Sequence, residues 1–433
     1  MTSAFLNKNS YFWHSIYCMS AAFLTYCSMY AFRKPISSGV FESNQLWGVD
    51  YKIILITAQA IGYTISKFAG IKLISEMKSH QRISYILILL GISWFGLFLF
   101  ATLGFPWGTI GLFINGLPLG MIWGIVFSFL EGRRNTELLG VGMSVSFIIA
   151  SGLVKSIGRF LIDQMGVSEF WMPFCTGILF ILPLLIGVWM LSKIPPPTTE
   201  DKMARTERVP MNYRERMSFF RSFAPGIALL VCVYVALTIL RDLRDNFSVE
   251  LWNELGFENT SRLLTLSEIP IAILVFLIVA SMILIKNNRI AFMTNIIMIM
   301  SGGALLLIST FLHLAQLISP IMWMISIGFA MYLSYISYHT MLFERWIAAF
   351  KYQSNIGFLM YLADSFGYLG SVCILFLKNF GRHSTSWLKY IELTTYVTGT
   401  SILILGLLSL IYFEIKFRKI KTQSISSTET RFA

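Results

Sequence analysis

The sequence predicts an all-α integral membrane protein whose twelve transmembrane helices form two pseudo-symmetric bundles of six. Of its 433 residues, 56% are apolar and only 13% are charged, and the mean hydropathy is +0.68, a balance that soluble globular proteins do not have. Twelve apolar stretches are long enough to cross a hydrocarbon core of about 30 Å. A single long polar segment separates the first six stretches from the last six. Each stretch is expected to be helical, because lipid offers the backbone no hydrogen-bond partner.

We number these stretches spans 1 to 12 in chain order. The predicted spans are Phe12 to Phe32, Ile53 to Ile74, Ile83 to Gly104, Gly108 to Leu130, Leu138 to Phe160, Phe170 to Leu191, Ala224 to Leu240, Leu263 to Ile285, Ile290 to His313, Leu317 to Phe343, Tyr352 to Leu377 and Ile391 to Phe413.

The polar segment between spans 6 and 7 sets the domain boundaries. It opens with three consecutive prolines at 195–197 and is rich in Lys and Arg, which is typical of a linker. We therefore predict a first six-helix half at 1–193, a cytoplasmic linker at 194–221 and a second six-helix half at 222–420. The Ser/Thr-rich end, 421–433, is predicted to be a disordered cytoplasmic tail.

The placement of the basic residues predicts the orientation of the chain. With the N-terminus in the cytoplasm, the basic linker and the basic residues that follow span 12 lie on the cytoplasmic side, while few Lys and Arg residues lie outside. The positive-inside rule then places both termini in the cytoplasm. The surplus of +12 is thus explained by orientation and by contact with anionic membrane lipid. No basic stripe interleaved with aromatic residues indicates a nucleic-acid partner.

The glycines of span 4 predict a close helix contact, whereas the cysteines predict neither a disulfide nor a metal site. Gly116, Gly120 and Gly124 recur every four residues in span 4, which gives a glycine face that another helix can approach. The five cysteines all fall within spans and have no CxxC spacing, so neither a disulfide framework, a metal site nor a bound cofactor is predicted. The first apolar run lacks a basic leader and a cleavage site, so it is predicted to be retained.

Two arginines occupy matching places in the two halves of the chain. Arg33 closes span 1 and Arg241 closes span 7, although a charge near the bilayer centre costs about 2.5 to 3.5 kcal/mol. The repetition indicates that both point into a central pocket and hold an anionic small molecule. For Arg33 the alternative is an interfacial anchor, unless span 1 continues through Lys34 to Phe41 and places it at membrane depth. For Arg241 the alternative is a solvated patch neutralised by its acidic neighbours.

Further ionisable residues remain within the spans, and such residues usually mark a substrate or ion pathway. Lys67 lies in the middle of span 2 with Tyr63 one turn earlier, so both are candidates for the pocket. The other ionisable residues are Lys155 and Arg159 in span 5, Glu268 in span 8, Glu344 in span 10 and Asp364 in span 11. Arg159 and Glu344 lie close enough to span ends to reach the interface.

Several short motifs together resemble the organophosphate:phosphate antiporters of the major facilitator superfamily, the group of the glycerol-phosphate and hexose-phosphate transporters. These motifs are Tyr30-Ala31-Phe32-Arg33-Lys34, Gly62-Tyr63 with Ser66-Lys67-Phe68, Leu240-Arg241 and Phe366-Gly367-Tyr368-Leu369-Gly370. The resemblance implies the two-bundle major facilitator fold, monomers in a bacterial inner membrane, a phosphoryl group bound by Arg33 and Arg241, and assistance from Lys67. Lys34 and Tyr63 lie in the same motifs, and Glu268 resembles an acidic position of that family. The family histidine of helix 5 aligns with Ala150, so the pocket chemistry is expected to differ.

The sequence thus favours a secondary transporter of a small organic anion, most simply a phosphate ester exchanged for phosphate. One alternative is a proton-coupled symporter in which Asp364 or Glu268 titrates, with Lys155 as a further candidate for ion coupling. A second alternative is a membrane sensor that binds a phosphorylated ligand without transporting it. An enzyme is disfavoured, because no nucleophile motif, HExxH motif or pair of carboxylates on one helix face is found in the sequence.

Overall fold

The structure is a computed structural model that describes residues 2–41, 44–75, 77–131, 133, 136–196, 198, 213–257, 260–350, 356–380 and 386–432. A helix lies at each predicted span, which confirms the all-α membrane fold class. Eleven helices of the described chain are long and apolar enough to cross a membrane by those two criteria. Span 1 is also helical, although it is not one of these eleven.

The helices extend beyond most of the predicted limits. Their bounds are Thr2–Tyr30 for span 1, Tyr51–Ser75 for span 2, Arg82–Leu103 for span 3, Gly108–Phe127 for span 4, Thr136–Asp163 for span 5, Met172–Ser192 for span 6, Tyr213–Asn246 for span 7, Thr260–Leu266 with Glu268–Ser281 for span 8, Asn288–Leu314 for span 9, Pro320–Ser337 with Phe343–Phe350 for span 10, Ile356–Phe380 for span 11 and Trp387–Phe432 for span 12. Short elements between them are the helix Ser248–Glu254, the 3-10 turns Pro35–Ser38, Ser79–Gln81 and Met282–Leu284, and a hairpin of Gln45–Leu46 with Val49–Asp50.

The two halves repeat one packing pattern. In the first half, span 1 packs against spans 5 and 6, span 4 packs against spans 2 and 3, and span 3 also packs against span 6. The same pairs touch in the second half when each number is raised by six. Between the halves, span 2 packs against span 11 and span 5 packs against span 8, and this pair of contacts is also exchanged by the repeat. The structure therefore has the twofold internal symmetry that the sequence predicts.

The glycine face of span 4 packs directly against the backbone of span 2. A Cβ at Gly116 would collide with the carbonyl oxygen of Gln59, and one at Gly120 would lie 2.7 Å from the carbonyl oxygen of Tyr63. The helices can approach this closely only because glycine has no side chain. This contact fixes the position of span 2, which carries Lys67.

Span 1 ends two residues before the position that the apolar run predicts. Its helix stops at Tyr30, the amides of Arg33 and Lys34 both return to the Tyr30 carbonyl, and a buried 3-10 turn follows at Pro35–Ser38. Pro35 begins this turn and has no backbone N–H to donate, so it cannot continue the α-helical hydrogen-bond pattern. Arg33 therefore lies inside the protein at a helix break.

Span 10 also departs from a regular helix. Its residues Tyr338–Leu342 form a π-helical segment between two α-helical parts. All five of these residues are buried. Such segments widen a helix locally and frequently occur at functional sites.

The predicted linker and tail differ in part from the structure. Span 7 begins at Tyr213, so the end of the predicted linker is helical, while residue 197 and residues 199–212 lie outside the described residues. Span 12 continues as a helix to Phe432, whereas the sequence predicts a disordered tail at 421–433. The tail contains neither glycine nor proline, so no residue in it interrupts the helix.

Replacing Gly116 by alanine should push spans 2 and 4 apart. We expect the Gly116→Ala protein to lose about 1–3 kcal/mol of stability, because extra volume in a tight contact costs that much. The measurement is the midpoint of thermal unfolding of the purified protein in detergent. Gly91→Ala in span 3 is the matched control, because a Cβ there meets no atom within 4 Å. Equal midpoints for the two variants would contradict the close packing.

Candidate functional site

Arg33 is positioned by amide side chains from two neighbouring spans. Asn115 Nδ2 donates to the carbonyl oxygen of Phe32 at 2.9 Å, and Gln59 Nε2 donates to that of Arg33 at 3.1 Å. Gln59 Nε2 also donates to Asn115 Oδ1 at 2.6 Å. These carbonyls lie just past the end of the span 1 helix, where the helix leaves them without partners. Spans 2 and 4 therefore fix the backbone from which the Arg33 side chain projects.

The two arginines meet at a single oxygen. Tyr368 of span 11 accepts hydrogen bonds through its hydroxyl from Arg33 Nη2 at 3.2 Å and from Arg241 Nη2 at 3.1 Å. The Arg33 guanidinium lies over the Tyr63 ring at 4.1 Å from the centroid, and that of Arg241 lies over the Tyr335 ring at 4.4 Å. Both guanidinium groups are thus flanked by aromatic faces and directed to one point between the halves.

The two arginines differ in how their charge is balanced. Arg241 forms an ion pair with its neighbour Asp242 at 2.7 Å and also donates to the Tyr335 hydroxyl. Among the described residues, Arg33 has no carboxylate within ion-pair distance, so its charge faces only tyrosines. The site therefore carries a positive charge that an anion could neutralise.

Lys67 reaches across the interface to the second half. Its Nζ lies 2.7 Å from Oδ2 of Asp364 in span 11, and both side chains are almost fully buried. The other carboxylate oxygen of Asp364 accepts from the Tyr234 hydroxyl. His339 Nε2 lies 2.8 Å from the same hydroxyl and 3.9 Å from Asp364 Oδ1. Lys67 is thus held beside the two arginines by a carboxylate from the opposite half.

A second layer of ion pairs lies closer to the end of the bundle at which span 1 ends, which we call the outer side because the sequence predicts that it faces outward. Asp245 of span 7 is paired with Lys34 at 2.5 Å and with Lys155 at 2.7 Å. Farther out, Lys52 is paired with Glu250 at 2.5 Å. All three lysines belong to the first half and both carboxylates belong to the second half. These pairs close the outer end of the interface.

On the inner side, the side of the predicted linker, the polarity is reversed. Glu137 of the first half is paired with Arg345 of the second half at 2.8 Å, and Arg345 also donates to Asn288. Closure on this side therefore relies on a carboxylate from the first half. The site lies between the two closures.

The candidate residues fall into three groups. The structure brings together Arg33, Tyr63, Lys67, Arg241 and Asp364. It places Lys34 and Lys155 one layer outward on Asp245. It sets Glu268 apart as the partner of Arg244 within the second half, at 2.8 Å.

Two of the alternatives can be compared directly with the geometry. Arg241 is only 8% exposed and Asp242 only 6%, so the reading of this segment as a solvated patch is wrong. Asp242 nonetheless pairs with Arg241 as that reading expected. Arg159 pairs with Asp163 on its own helix, and its side chain is 22% exposed, which suits an interfacial position.

Several residues of the site were not among the sequence candidates. They are Gln59, Asn115, Tyr234, Tyr335, His339 and Tyr368. A helical spacing of four could have revealed part of this set, because Tyr368 follows Asp364 by four residues just as Lys67 follows Tyr63. Residues at that spacing share a helix face. No comparable signal marks Gln59 and Asn115, which are ordinary polar residues in apolar spans.

The described residues contain no group of three or more His, Cys, Asp and Glu side chains that could hold a metal ion. The site itself contains cations, tyrosine hydroxyls and aromatic faces, which are groups that can bind an anion.

Removing Asp364 should destabilise the protein by leaving Lys67 buried without a partner. We expect Asp364→Asn to cost about 3–5 kcal/mol, as when one member of a buried pair is lost. Removing both charges in Lys67→Met/Asp364→Asn should recover most of that loss. The measurement is the unfolding midpoint in detergent, with Asp163→Asn as the control because it removes an acid from a partly exposed pair, worth about 0–1 kcal/mol. A double variant no more stable than the single one would rule out the pairing.

Comparison with solved structures identifies the fold. The crystal structure of a D-xylose-proton symporter aligns with a TM-score of 0.58 and 13% identity, over 91% of this chain and 96% of that chain. The human organic anion transporter MFSD10 (TETRAN) gives 0.58 and 13%, over 92% and 99%. The proton:xylose symporter XylE bound to 6-bromo-6-deoxy-D-glucose gives 0.58 and 14%, over 93% and 94%. The chain therefore has the major facilitator fold, as the sequence predicts.

Comparison by sequence gives the family. No curated protein matches the sequence. A family model with the description "Family of unknown function (DUF5690)" matches residues 35–416, which include every span except the first. The chain belongs to this family, DUF5690.

Proposed function

We propose that the protein is a secondary transporter that moves a small organic anion across the membrane by alternating access. The leading candidate is a phosphate ester exchanged for phosphate. The observation that carries the proposal is the convergence of Arg33 and Arg241, from opposite halves, on the single hydroxyl oxygen of Tyr368. In the absence of a ligand, that hydroxyl occupies the place that an oxygen of the anion would take.

The geometry of the two guanidinium groups favours an oxyanion. Each guanidinium presents several N–H donors in a planar fork that matches carboxylate and phosphoryl oxygens. An anion with oxygens on more than one side could accept from Arg33 and Arg241 together, which one phenol hydroxyl does only weakly. Such bonds are stronger where the groups are shielded from water, as Arg241 is.

The balance of charge favours a doubly charged anion. The buried ion pairs between the outer end and Lys67, counted together with Arg33, contain seven cations and five carboxylates. The cations are Arg33, Lys34, Lys52, Lys67, Lys155, Arg241 and Arg244, and the carboxylates are Asp242, Asp245, Glu250, Glu268 and Asp364. Within this set the surplus is two positive charges. A phosphate ester carries about this charge at neutral pH, whereas a single carboxylate does not.

The same surplus favours exchange over uniport. Uncompensated charges in a buried interface are costly, so the empty site should resist complete closure. A bound anion removes that cost and allows both ends to close in turn. Asp364 and Glu268 already have cationic partners, so neither carboxylate is available without breaking an ion pair, which disfavours proton-coupled symport.

The fold alone does not choose the substrate. Among the similar structures, MFSD10 is called an organic anion transporter and the other two are proton symporters of xylose. One architecture thus serves both substrate classes, so the choice depends on the residues of the site. Here those residues are arginines and lysines, which support the anion.

The remaining expectations from the sequence form part of the same proposal. The linker at 194–221 connects the two halves along the chain, and both termini lie in the cytoplasm. The protein works as a monomer in a bacterial inner membrane. The basic linker supports this orientation through the positive-inside rule.

Neutralising either arginine should strongly reduce transport. We expect Arg33→Gln and Arg241→Gln each to lower phosphate exchange by about 10- to 100-fold, because a hydrogen bond to a charged group is worth about 1.5–3 kcal/mol. The measurement is the efflux of labelled phosphate from loaded proteoliposomes when phosphate or a phosphate ester is added outside. Arg289→Gln is the matched control, since that arginine forms a partly exposed pair with Glu414 outside the site.

The outcomes separate the proposal from its alternatives. Exchange that survives in both arginine variants would remove Arg33 and Arg241 from the site. Binding of phosphate esters without any flux in the unchanged protein would favour a sensor. Uptake that requires a proton gradient and is lost in Asp364→Asn would favour a symporter.

A further inference from the structure

A group of buried polar atoms without partners lies directly inward of Lys67 and Asp364. The indole Nε1 of Trp123, the hydroxyl of Tyr361 and Nδ1 of His339 each lack a hydrogen-bond partner among the residues that the structure describes. All three residues are at least nine-tenths buried, with exposures of 7%, 8% and 7%. Burying such a group unsatisfied costs about 1–3 kcal/mol, so three together call for an explanation.

These atoms belong to one layer of the interface, which we call the neutral layer and define as Trp123, Tyr361 and His339. The Trp123 ring of span 4 lies 5.5 Å from the His339 ring of span 10, so the two halves face each other here. The Tyr361 hydroxyl lies beside Gly124, the residue after Trp123. Lys67 Nζ lies 5.2 Å from the centre of the Tyr361 ring. The neutral layer is therefore continuous with the charged site.

The neutral layer differs in chemistry from the charged site. It has no Lys, Arg, Asp or Glu, and its groups are an N–H that can only donate, a hydroxyl and an imidazole nitrogen. An indole N–H requires an acceptor such as a hydroxyl, ether or carbonyl oxygen. Alkyl or unsubstituted aryl groups supply no such atom and would leave the three polar groups unsatisfied.

Resting on the proposed anion site, we propose that the neutral layer is a second subsite that binds the uncharged part of the transported anion. That part bears oxygen atoms which accept and donate hydrogen bonds to Trp123, Tyr361 and His339. The anionic end lies on Arg33 and Arg241, and the oxygen-bearing end points to the inner side. The neutral layer thus selects among anions that share a head group.

Two ligands with one head group and different tails test the subsite. The probes are propyl phosphate and its 2,3-dihydroxy analogue, and the readout is the dissociation constant of each for the purified protein from ligand-dependent thermal shifts. We expect the unchanged protein to bind the dihydroxy ligand more tightly. Tyr361→Phe and Trp123→Phe should each reduce that preference by roughly threefold to tenfold, because each removes one neutral hydrogen bond. Neither variant should weaken the binding of propyl phosphate, because its propyl tail makes no hydrogen bond to either residue.

Tyr338→Phe is the matched control, because the Tyr338 hydroxyl donates to the carbonyl oxygen of Leu230 and lies outside the neutral layer. It should keep the full preference. A preference for propyl phosphate, or an equal loss for both ligands in Tyr361→Phe, would overturn the subsite while leaving the anion site intact. Failure of both ligands and of inorganic phosphate to stabilise the unchanged protein would instead refute the proposed function. Because the comparison of the two ligands needs no variant, it decides the matter even if a variant does not fold.

Discussion

The interface between the two halves depends on an unequal division of charge. From the outer entrance to Lys67, the first half contributes Arg33 and four lysines, and all the carboxylates that pair with those lysines come from the second half. Asp245, Glu250 and Asp364 therefore draw the halves together. Such pairs are strong only while water is excluded, so separating the halves and hydrating the interface weakens them together. Closure of the outer end is thus cooperative.

This division of charge also explains how an anion could be coupled to movement. In the proposed transporter, opening of the outer end would withdraw Asp245, Glu250 and Asp364 with the second half and leave the lysines of the first half without these partners. An entering anion would take the place of the withdrawn carboxylates. Arg33 has no carboxylate within ion-pair distance among the described residues even in the closed state, so the anion would meet an unpaired charge there. The inner closure by Glu137 and Arg345 has the opposite polarity and does not compete for the same ligand.

The sequence predicts the fold well because the fold follows from local properties. Apolar length places the spans, a basic linker divides them, and the repetition of Arg33 and Arg241 indicates the symmetry that the packing shows. The glycines of span 4 likewise mark a real close contact with span 2. What local properties miss are the interruptions. The π-helical segment of span 10 has no proline, and it contains His339, whose Nε2 lies 3.9 Å from Asp364 Oδ1.

The partners of the charged residues are harder to predict, because they depend on contacts between distant parts of the chain. Lys67 and Asp364 both stand out in the sequence because they are charged residues within apolar spans. In the sequence analysis Lys67 suggests anion binding and Asp364 suggests proton coupling. Their contact across the interface shows that they form one ion pair. Gln59 and Asn115 are uncharged and do not stand out in the sequence, although their side-chain amides donate hydrogen bonds to the backbone carbonyls of Arg33 and Phe32 at the end of the span 1 helix. In a membrane, both charged and uncharged polar residues within a span indicate that a polar partner lies nearby. Since every polar group within a span must find a partner, each such residue in the sequence implies another that faces it. For Trp123 and Tyr361, whose polar atoms have no partner among the described residues, we propose that the ligand of the neutral layer supplies it.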